Sequence, residues 1–275
     1  MPELPEVETI RRQLAKEIVG SRLRRVTVRF GKRLQPSADK FVAAVTGATV
    51  RGVRRRAKLL LLDLSNGQSI ATHLKMTGKY LLVPGKTAPG KHAHVVFDLA
   101  DGRRLFFEDV RKFGYLKVLP TAEADSLIVG GQLYGPEPLE KSFTPAVLAA
   151  CLMRRPGRTL KPLLMDQACV AGVGNIYADE SLWRARIRPG RRVKTLSADE
   201  IRRLHDGIVA SMRRSVKLGG TSADDYVNLY GRKGRNQLVL EAYGRGGRPC
   251  SRCGGPIKRV RMGGRGTHFC PKCQK

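Results

Sequence analysis

The residue types best suited to chemistry stand at the two ends of the chain. Near the C-terminus, Cys250-x2-Cys253 is followed after sixteen residues by Cys270-x2-Cys273. Two CxxC knuckles at that separation match tetrahedral thiolate coordination of Zn2+. With all four positions thiolate the site is closed, so one such ion is structural and folds the tail. At the other end the chain opens MPELPEVETIRR. A residue as small as Pro2 permits removal of Met1, which would leave a secondary amine with an unperturbed pKa of roughly 7.7–8.0. Such an amine is nucleophilic near neutrality and can form an iminium with a sugar C1′. Glu3 beside it can protonate or deprotonate sugar oxygens. Local physics alone favours a plain helix start, since Pro5 suits a first turn and Glu6 and Glu8 suit its positive dipole end; the acid makes sense as chemistry only with DNA as substrate.

Other motifs carry weaker signals. GVGNIY (172–177) is a glycine-rich turn into a helix, with Asn175 placed to cap it and free N–H groups suited to a phosphate. A capping Asn alone accounts for it equally well. HLKMTG (73–78) and DVRKFG (109–114) each set a large side chain beside cations at a strand end, Met76 with Lys75, and Phe113 with Arg111 and Lys112. Such residues usually belong to a core; exposed, they would form the apolar wedge and cation that enter a base stack. Between the knuckles, PIKRVRMGGRGTHF reads as a basic hairpin turning at Gly-Gly, suited to phosphate contact. Cys151 and Cys169 lie in apolar helical context and are expected as buried thiols.

The elements that must position these groups follow from periodicity. Residues 6–19 place Val7, Ile10, Leu14 and Ile18 on one helical face. Strands follow: RLRRVTVRF, then KLLLLDL and QSIATHL around Asn66-Gly67, KYLLV, HVVFDL and RRLFFED around Ala100-Asp101-Gly102, and YLKVL. That reads as one helix and an antiparallel β-sandwich. Residues 121–141, with Gly130-Gly131 and two prolines, read as a linker, and from 142 the pattern is helical. Three domains are expected: 1–130, 131–243 and 244–275.

Composition names the kind of partner. Fifty-two Lys and Arg against 23 Asp and Glu give a formal charge of +29, and residues 244–275 hold nine basic residues and no acidic one. Charge of this size repels itself in a compact chain, which favours a polyanionic partner. Nucleic acid is favoured over anionic lipid because no long apolar or amphipathic basic stretch is present. With no apolar run behind a basic start, no signal peptide is expected, and the cysteines do not read as a disulfide framework.

MPELPEVETIRR, RRRAKLLLL, HLKMTG, DVRKFG, GPEPL, LLMDQ, GVGNIYADE, YGR and the four-cysteine finger run in order from residue 2 to 275. Together they closely resemble the formamidopyrimidine-DNA glycosylase family. PELPEVE, rather than the PEGPE-type start of the endonuclease VIII branch, resembles the oxidised-purine branch. The resemblance implies an α+β fold: N-terminal helix and antiparallel β-sandwich, helical domain with a helix-two-turns-helix element over about 159–186, and zinc finger. It implies a bifunctional glycosylase and abasic-site lyase of base-excision repair, acting on 8-oxoguanine and formamidopyrimidines in double-stranded DNA, including abasic sites, as a cytoplasmic, nucleoid-associated monomer without membrane contact. On this reading Pro2 attacks C1′, Glu3 is acid and base, Lys58 serves β-elimination, and Arg265 serves δ-elimination while gripping phosphates. Asn175 is a second phosphate clamp, Met76, Arg111 and Phe113 fill the gap left by the flipped base, and His92 and Arg158 touch DNA. Two positions depart from the pattern: Asn236 stands where relatives carry an aromatic before the glutamine, in the 231–238 loop that covers the flipped base. Lys112 replaces a second arginine.

Two other functions compete with this one. An endonuclease VIII-like enzyme would act on oxidised pyrimidines, and a non-catalytic zinc-finger protein would bind DNA without chemistry. Pro2, Glu3, Lys58 and Arg265 are all present, which counts against the second.

Overall fold

The computed structural model describes residues 1–124 and 134–275. Expected features on 125–133, the Gly130-Gly131 pair and the first domain boundary among them, lie outside the described residues. The chain forms two compact units: residues 1–124 with Leu218–Arg235, and residues 134–217 with Asn236–Lys275. Leu218–Arg235, expected with the helical domain, therefore packs with the N-terminal unit.

The first unit begins with α1 (Leu4–Ile18). Glu3 is its N-cap, and the capping box is complete: the Glu3 carboxylate accepts the Glu6 N–H, and Glu6 accepts the Glu3 N–H at 2.9 Å. Val7, Ile10, Leu14 and Ile18 are fully buried, so the expected apolar stripe faces the core. The sandwich has a sheet of order β1-β7-β8-β6 and a second of order β2-β9-β5-β4-β3. Their strands are β1 (Leu23–Val28), β2 (Leu34–Gln35), β3 (Val50–Arg56), β4 (Leu59–Leu64), β5 (Gln68–His73), β6 (Gly78–Val83), β7 (Ala93–Leu99), β8 (Arg104–Asp109) and β9 (Tyr115–Pro120). Both expected hairpins form, at 65–67 and 100–103. One pairing departs from the expected antiparallel pattern, since the short β2 runs parallel to β9. The expected single helix is joined by α2 (Ala38–Val45), started by the Ser37 hydroxyl, which accepts the Lys40 N–H, and by the short α3 (Thr121–Ala124).

The second unit contains α4 (Pro145–Met153), α5 (Leu160–Leu164), α6 (Asn175–Ala185) and α7 (Ala198–Lys217). Its finger hairpin pairs β10 (Lys258–Met262) with β11 (Arg265–Phe269) across Gly263-Gly264, both at positive φ as a type I′ turn requires. One expectation is corrected here. Cys151 and Cys169, expected as buried thiols, are joined in a disulfide with Cα atoms 5.5 Å apart. The fold returns the chain after α5 to the side of α4, a proximity that sequence spacing does not encode.

Candidate active site

In the first unit, topology gathers the expected residues at one end of the sandwich. Leu74–Thr77 carries the chain from β5 in one sheet to β6 in the other, and Val110–Gly114 carries it back from β8 to β9. These crossovers are neighbours, because Gly78 pairs with Asp109 and His73 with Tyr115. The loop that carries Met76 is therefore next to the loop that carries Arg111 and Phe113, and the Arg111 N–H donates to Thr77 Oγ1 at 3.0 Å. Leu59 pairs with His73, so the β3–β4 turn, Ala57-Lys58, lies at this end too. His92 joins them through its carbonyl, which accepts the Asp109 N–H at 3.1 Å. The start of α1 arrives by way of Glu8, which pairs with Arg55 at 3.1 Å, while Arg55 also donates to the Ala57 carbonyl at 3.0 Å. Pro2, Glu3, Lys58, Met76, His92, Arg111 and Phe113 thus share one edge of one unit.

Their environments differ in a useful way. Pro2, Glu3 and Lys58 are buried, Met76 and His92 are half-buried, and Arg111 and Phe113 are exposed, Phe113 to 46%. The Arg111 guanidinium lies 4.9 Å from the Phe113 ring centroid. Asp109 holds that loop in shape: its carboxylate accepts from Thr77 Oγ1, from the Arg111 N–H at 3.2 Å and from the Gly114 N–H at 2.6 Å. Gly78 is needed where the other crossover closes, since a Cβ there would meet the Leu74 carbonyl at 2.4 Å. Backbone strain collects at this end. Ala57, Lys75 and Lys112, three of the four non-glycine residues at positive φ among those described, lie in these turns.

Two buried groups beside these residues titrate far from their ordinary values. Burial would raise the Glu8 carboxyl, but Arg11, Arg12 and Arg55 outweigh it and hold the group at about 2. Burial, then the Lys75 and Lys58 ammoniums, push His73 down to about 3, so its imidazole is neutral, and Nδ1 accepts the Lys75 N–H at 3.0 Å. The α-amino group of Met1 sits 3.8 Å from Asp224. Glu6 reaches the same segment, accepting the Thr221 N–H at 2.8 Å, and the Tyr226 hydroxyl contacts the Glu6 carbonyl at 3.4 Å.

Sequence reasoning gave Glu8 only a dipole role at the helix start and missed Arg55, Asp109 and residues 221–226. Glu8 and Asp109 had a signal: Glu8 lies three and four residues before Arg11 and Arg12, and Asp109 sits inside DVRKFG. The Glu6–Thr221 contact spans 215 positions and had none.

In the second unit, the GVGN turn is held by Gln167, whose amide accepts the Gly172 N–H at 2.9 Å and donates to the Val173 carbonyl at 2.8 Å. The expected cap is corrected: Gly174 is the N-cap of α6 and Asn175 its first residue. Glycine adopts the extended cap conformation without a side chain, which leaves the Asn175 amide out of capping, and its buried Oδ1 has no hydrogen-bond partner among the described residues. Arg158 is exposed, lining a groove with Thr159, Pro162, Met262 and Gly263, and a second groove beside Gln167 is lined by Arg265. Arg265 opens β11 and is exposed.

Cys250, Cys253, Cys270 and Cys273 bring their sulfurs within 4.8 Å of one another, with 3.5 Å between Cys253 and Cys270. Zinc–thiolate bonds of about 2.3 Å make a tetrahedron with edges of about 3.8 Å, so the four fit one Zn2+. The Cys273 N–H points at the Cys270 sulfur at 3.3 Å, as thiolate ligands favour, and Trp183 and Ile257 pack against the cluster. This is a closed, structural zinc centre.

A capped amino-terminal helix on a β-sandwich, a helical unit and a basic four-cysteine hairpin together make the framework of a zinc-finger protein suited to nucleic acid. Comparison with known proteins narrows the class. Residues 1–116 match the formamidopyrimidine-DNA glycosylase N-terminal domain, 134–227 its H2TH domain and 247–275 the zinc finger found in FPG and IleRS. The chain belongs to the formamidopyrimidine-DNA glycosylase family. It is 47% identical to the formamidopyrimidine-DNA glycosylase of Roseiflexus sp. (strain RS-1) and 46% identical to that of Geobacillus kaustophilus, each over 100% of both chains. A Lactococcus lactis mutant enzyme in complex with Fapy-dG-containing DNA superposes with a TM-score of 0.93 at 37% identity, covering 100% of both chains. The Lactococcus lactis enzyme with abasic-site DNA gives 0.93 over 99% of both. Among the described residues, no helix is long and apolar enough to cross a membrane.

Proposed function

We propose that this chain is a base-excision-repair glycosylase and abasic-site lyase in which Pro2 is the nucleophile and oxidised purines, 8-oxoguanine and formamidopyrimidines, are the lesions. The observation that carries the reading is the gathering of Pro2, Glu3, Lys58, Met76, Arg111 and Phe113 at one edge of the first unit. While Met1 remains, the Pro2 nitrogen is an amide and inert; its removal frees the amine. That amine attacks C1′, the C1′–N bond to the base breaks, and the base leaves with a proton. Glu3, whose carboxylate already accepts an N–H at the positive end of α1, moves the proton between amine and sugar oxygen. Elimination then removes a C2′ proton and breaks the C3′–O bond, and the Lys58 ammonium offers charge to the departing phosphate. Met76 and Phe113 occupy the vacated stack, with Arg111 turned to the orphaned cytosine. His92, Arg158, Asn175 and Arg265 grip phosphates, and Arg265 also serves the second elimination. The zinc supplies no step; Cys250, Cys253, Cys270 and Cys273 hold it to shape the hairpin. The protein acts as a monomer on duplex DNA, in the nucleoid.

Borohydride trapping tests this. Protein whose mass shows loss of Met1 should form a covalent adduct through Pro2 with an 8-oxoguanine:C duplex, faster than with thymine glycol. Pro2→Gly should slow base release far more than it weakens binding. Full-rate incision by protein that retains Met1 overturns the mechanism, and a preference for thymine glycol moves the chain to oxidised pyrimidines.

A further inference from the structure

The three residues that follow Arg265 are fastened to two buried side chains. Asp179 on α6 accepts the His268 N–H at 2.9 Å and faces His268 Nδ1 at 3.1 Å with the same oxygen. Its other oxygen pairs with Lys161 Nζ of α5 at 2.7 Å. Lys161 in turn donates to the Gly266 carbonyl at 3.1 Å and to Thr267 Oγ1 at 2.8 Å. Asp179 is 0% and Lys161 1% exposed.

Stability alone is a poor reason for this arrangement. A buried ion pair loses much of its attraction to desolvation, and apolar residues of equal volume commonly serve a fold as well. What a buried pair adds is a single geometry. Gly266, Thr267 and His268 are held in succession, one to three positions from an exposed arginine whose own strand begins at a glycine turn. The zinc ligands hold the base of the hairpin; the Lys161–Asp179 pair holds the strand beside its tip.

We propose that Asp179 is a positioning residue for Arg265, and that through it the enzyme sets how much nicked product proceeds from the first elimination to the second. The proposal rests on the reading above, in which Arg265 serves that second step. There a proton leaves C4′, the C5′–O bond breaks, and the departing phosphate takes the electron pair. A guanidinium in fixed register with that phosphate stabilises the charge it develops; one that swings does not.

The test uses the zinc-loaded, full-length protein at saturating concentration on a duplex with one abasic site. Products are resolved into those ending in the unsaturated aldehyde and those ending in 3′-phosphate. Asp179→Asn should raise the ratio of aldehyde to phosphate ends at least threefold, with the borohydride-trapping rate and one zinc per chain unchanged. Arg265→Ala should raise the same ratio. If Arg265→Ala changes it and Asp179→Asn does not, the proposal is wrong and the role of Arg265 stands. If neither changes it, the role of Arg265 is wrong, and the proposal with it. Should Asp179→Asn lose zinc, Asp179→Glu keeps the charge but displaces it by a methylene. A wild-type ratio in zinc-loaded Asp179→Glu also overturns the proposal.

Discussion

A carboxylate buried among three guanidiniums, Glu8, and an imidazole buried beside two ammoniums, His73, respond to acid in the same direction but over different ranges. His73 sits at about 3 in the folded chain against an ordinary 6.5, because burial and then Lys75 and Lys58 disfavour its cation. The unfolded chain therefore takes up a proton first as pH falls below 6.5, and stability drops from there toward 3. At pH 4.5 the loss is roughly 3 kcal/mol. Glu8 sits at about 2 against 4.5, so its contribution is whole above 4.5 and disappears between 4.5 and 2, on the order of 3 kcal/mol in all. Urea midpoints by circular dichroism separate the two. Wild type should weaken between pH 6.5 and 4.5, and His73→Gln should stay flat there. Glu8→Gln should start weaker at neutrality, because Arg11, Arg12 and Arg55 lose the carboxylate they share, and lose less below 4.5. A His73→Gln curve parallel to wild type in the upper range would show that the imidazole is not held neutral.

At the scale of elements, the site depends on two loops crossing between sheets side by side, and how legible that was varied with the physics. The strands flanking HLKMTG and DVRKFG were readable because alternation and turn residues are local signals, and the zinc ligands because metal geometry fixes their spacing. The packing of Leu218–Arg235 with the first unit was not readable, since it depends on contacts such as Gln13 Oε1 with the Leu229 N–H, 216 positions apart. Helix α2 had a cap signal in Ser37, but the segment is short and follows a strand pattern. The bond between Cys151 and Cys169 was hidden for the same reason as the long-range packing: α4 and the loop before α6 meet only in the fold. This bond closes an 18-residue separation around α5. In the chain-entropy account a loop of that length is worth about 3 kcal/mol. Alkylation of denatured, zinc-stripped protein without reductant should label four cysteines, Cys250, Cys253, Cys270 and Cys273. Reduction should raise the count to six and lower the melting temperature of the second unit by several degrees. Six labelled cysteines before reduction would show the pair to be free thiols.

For the whole molecule the governing quantity is the charge of +29, and the question is how much of it requires zinc. Every phosphate that a cation neutralises releases counterions, so the logarithm of affinity falls with that of salt by roughly 0.9 per contact. The finger carries nine basic residues and no acid over 244–275, and four of them, Lys258, Arg259, Arg261 and Arg265, stand on two five-residue strands that would be marginal alone. Four thiolates around one ion and the buried Lys161–Asp179 pair hold them in place. Stripping the metal should therefore melt the hairpin and remove Arg265 from its register. Pro2 and Glu3, the Glu8–Arg55 pair behind them and the loop that Asp109 holds in shape belong to the first unit, whose core contains none of the metal ligands. The expected result is a split: zinc-free protein binds undamaged duplex more weakly, with a salt slope shallower by about one or more, yet its free N-terminal amine still forms a borohydride-reducible adduct with a small aldehyde. An unchanged slope would mean that the finger makes no phosphate contacts. Loss of the adduct would mean that the first unit does not keep its shape without the zinc.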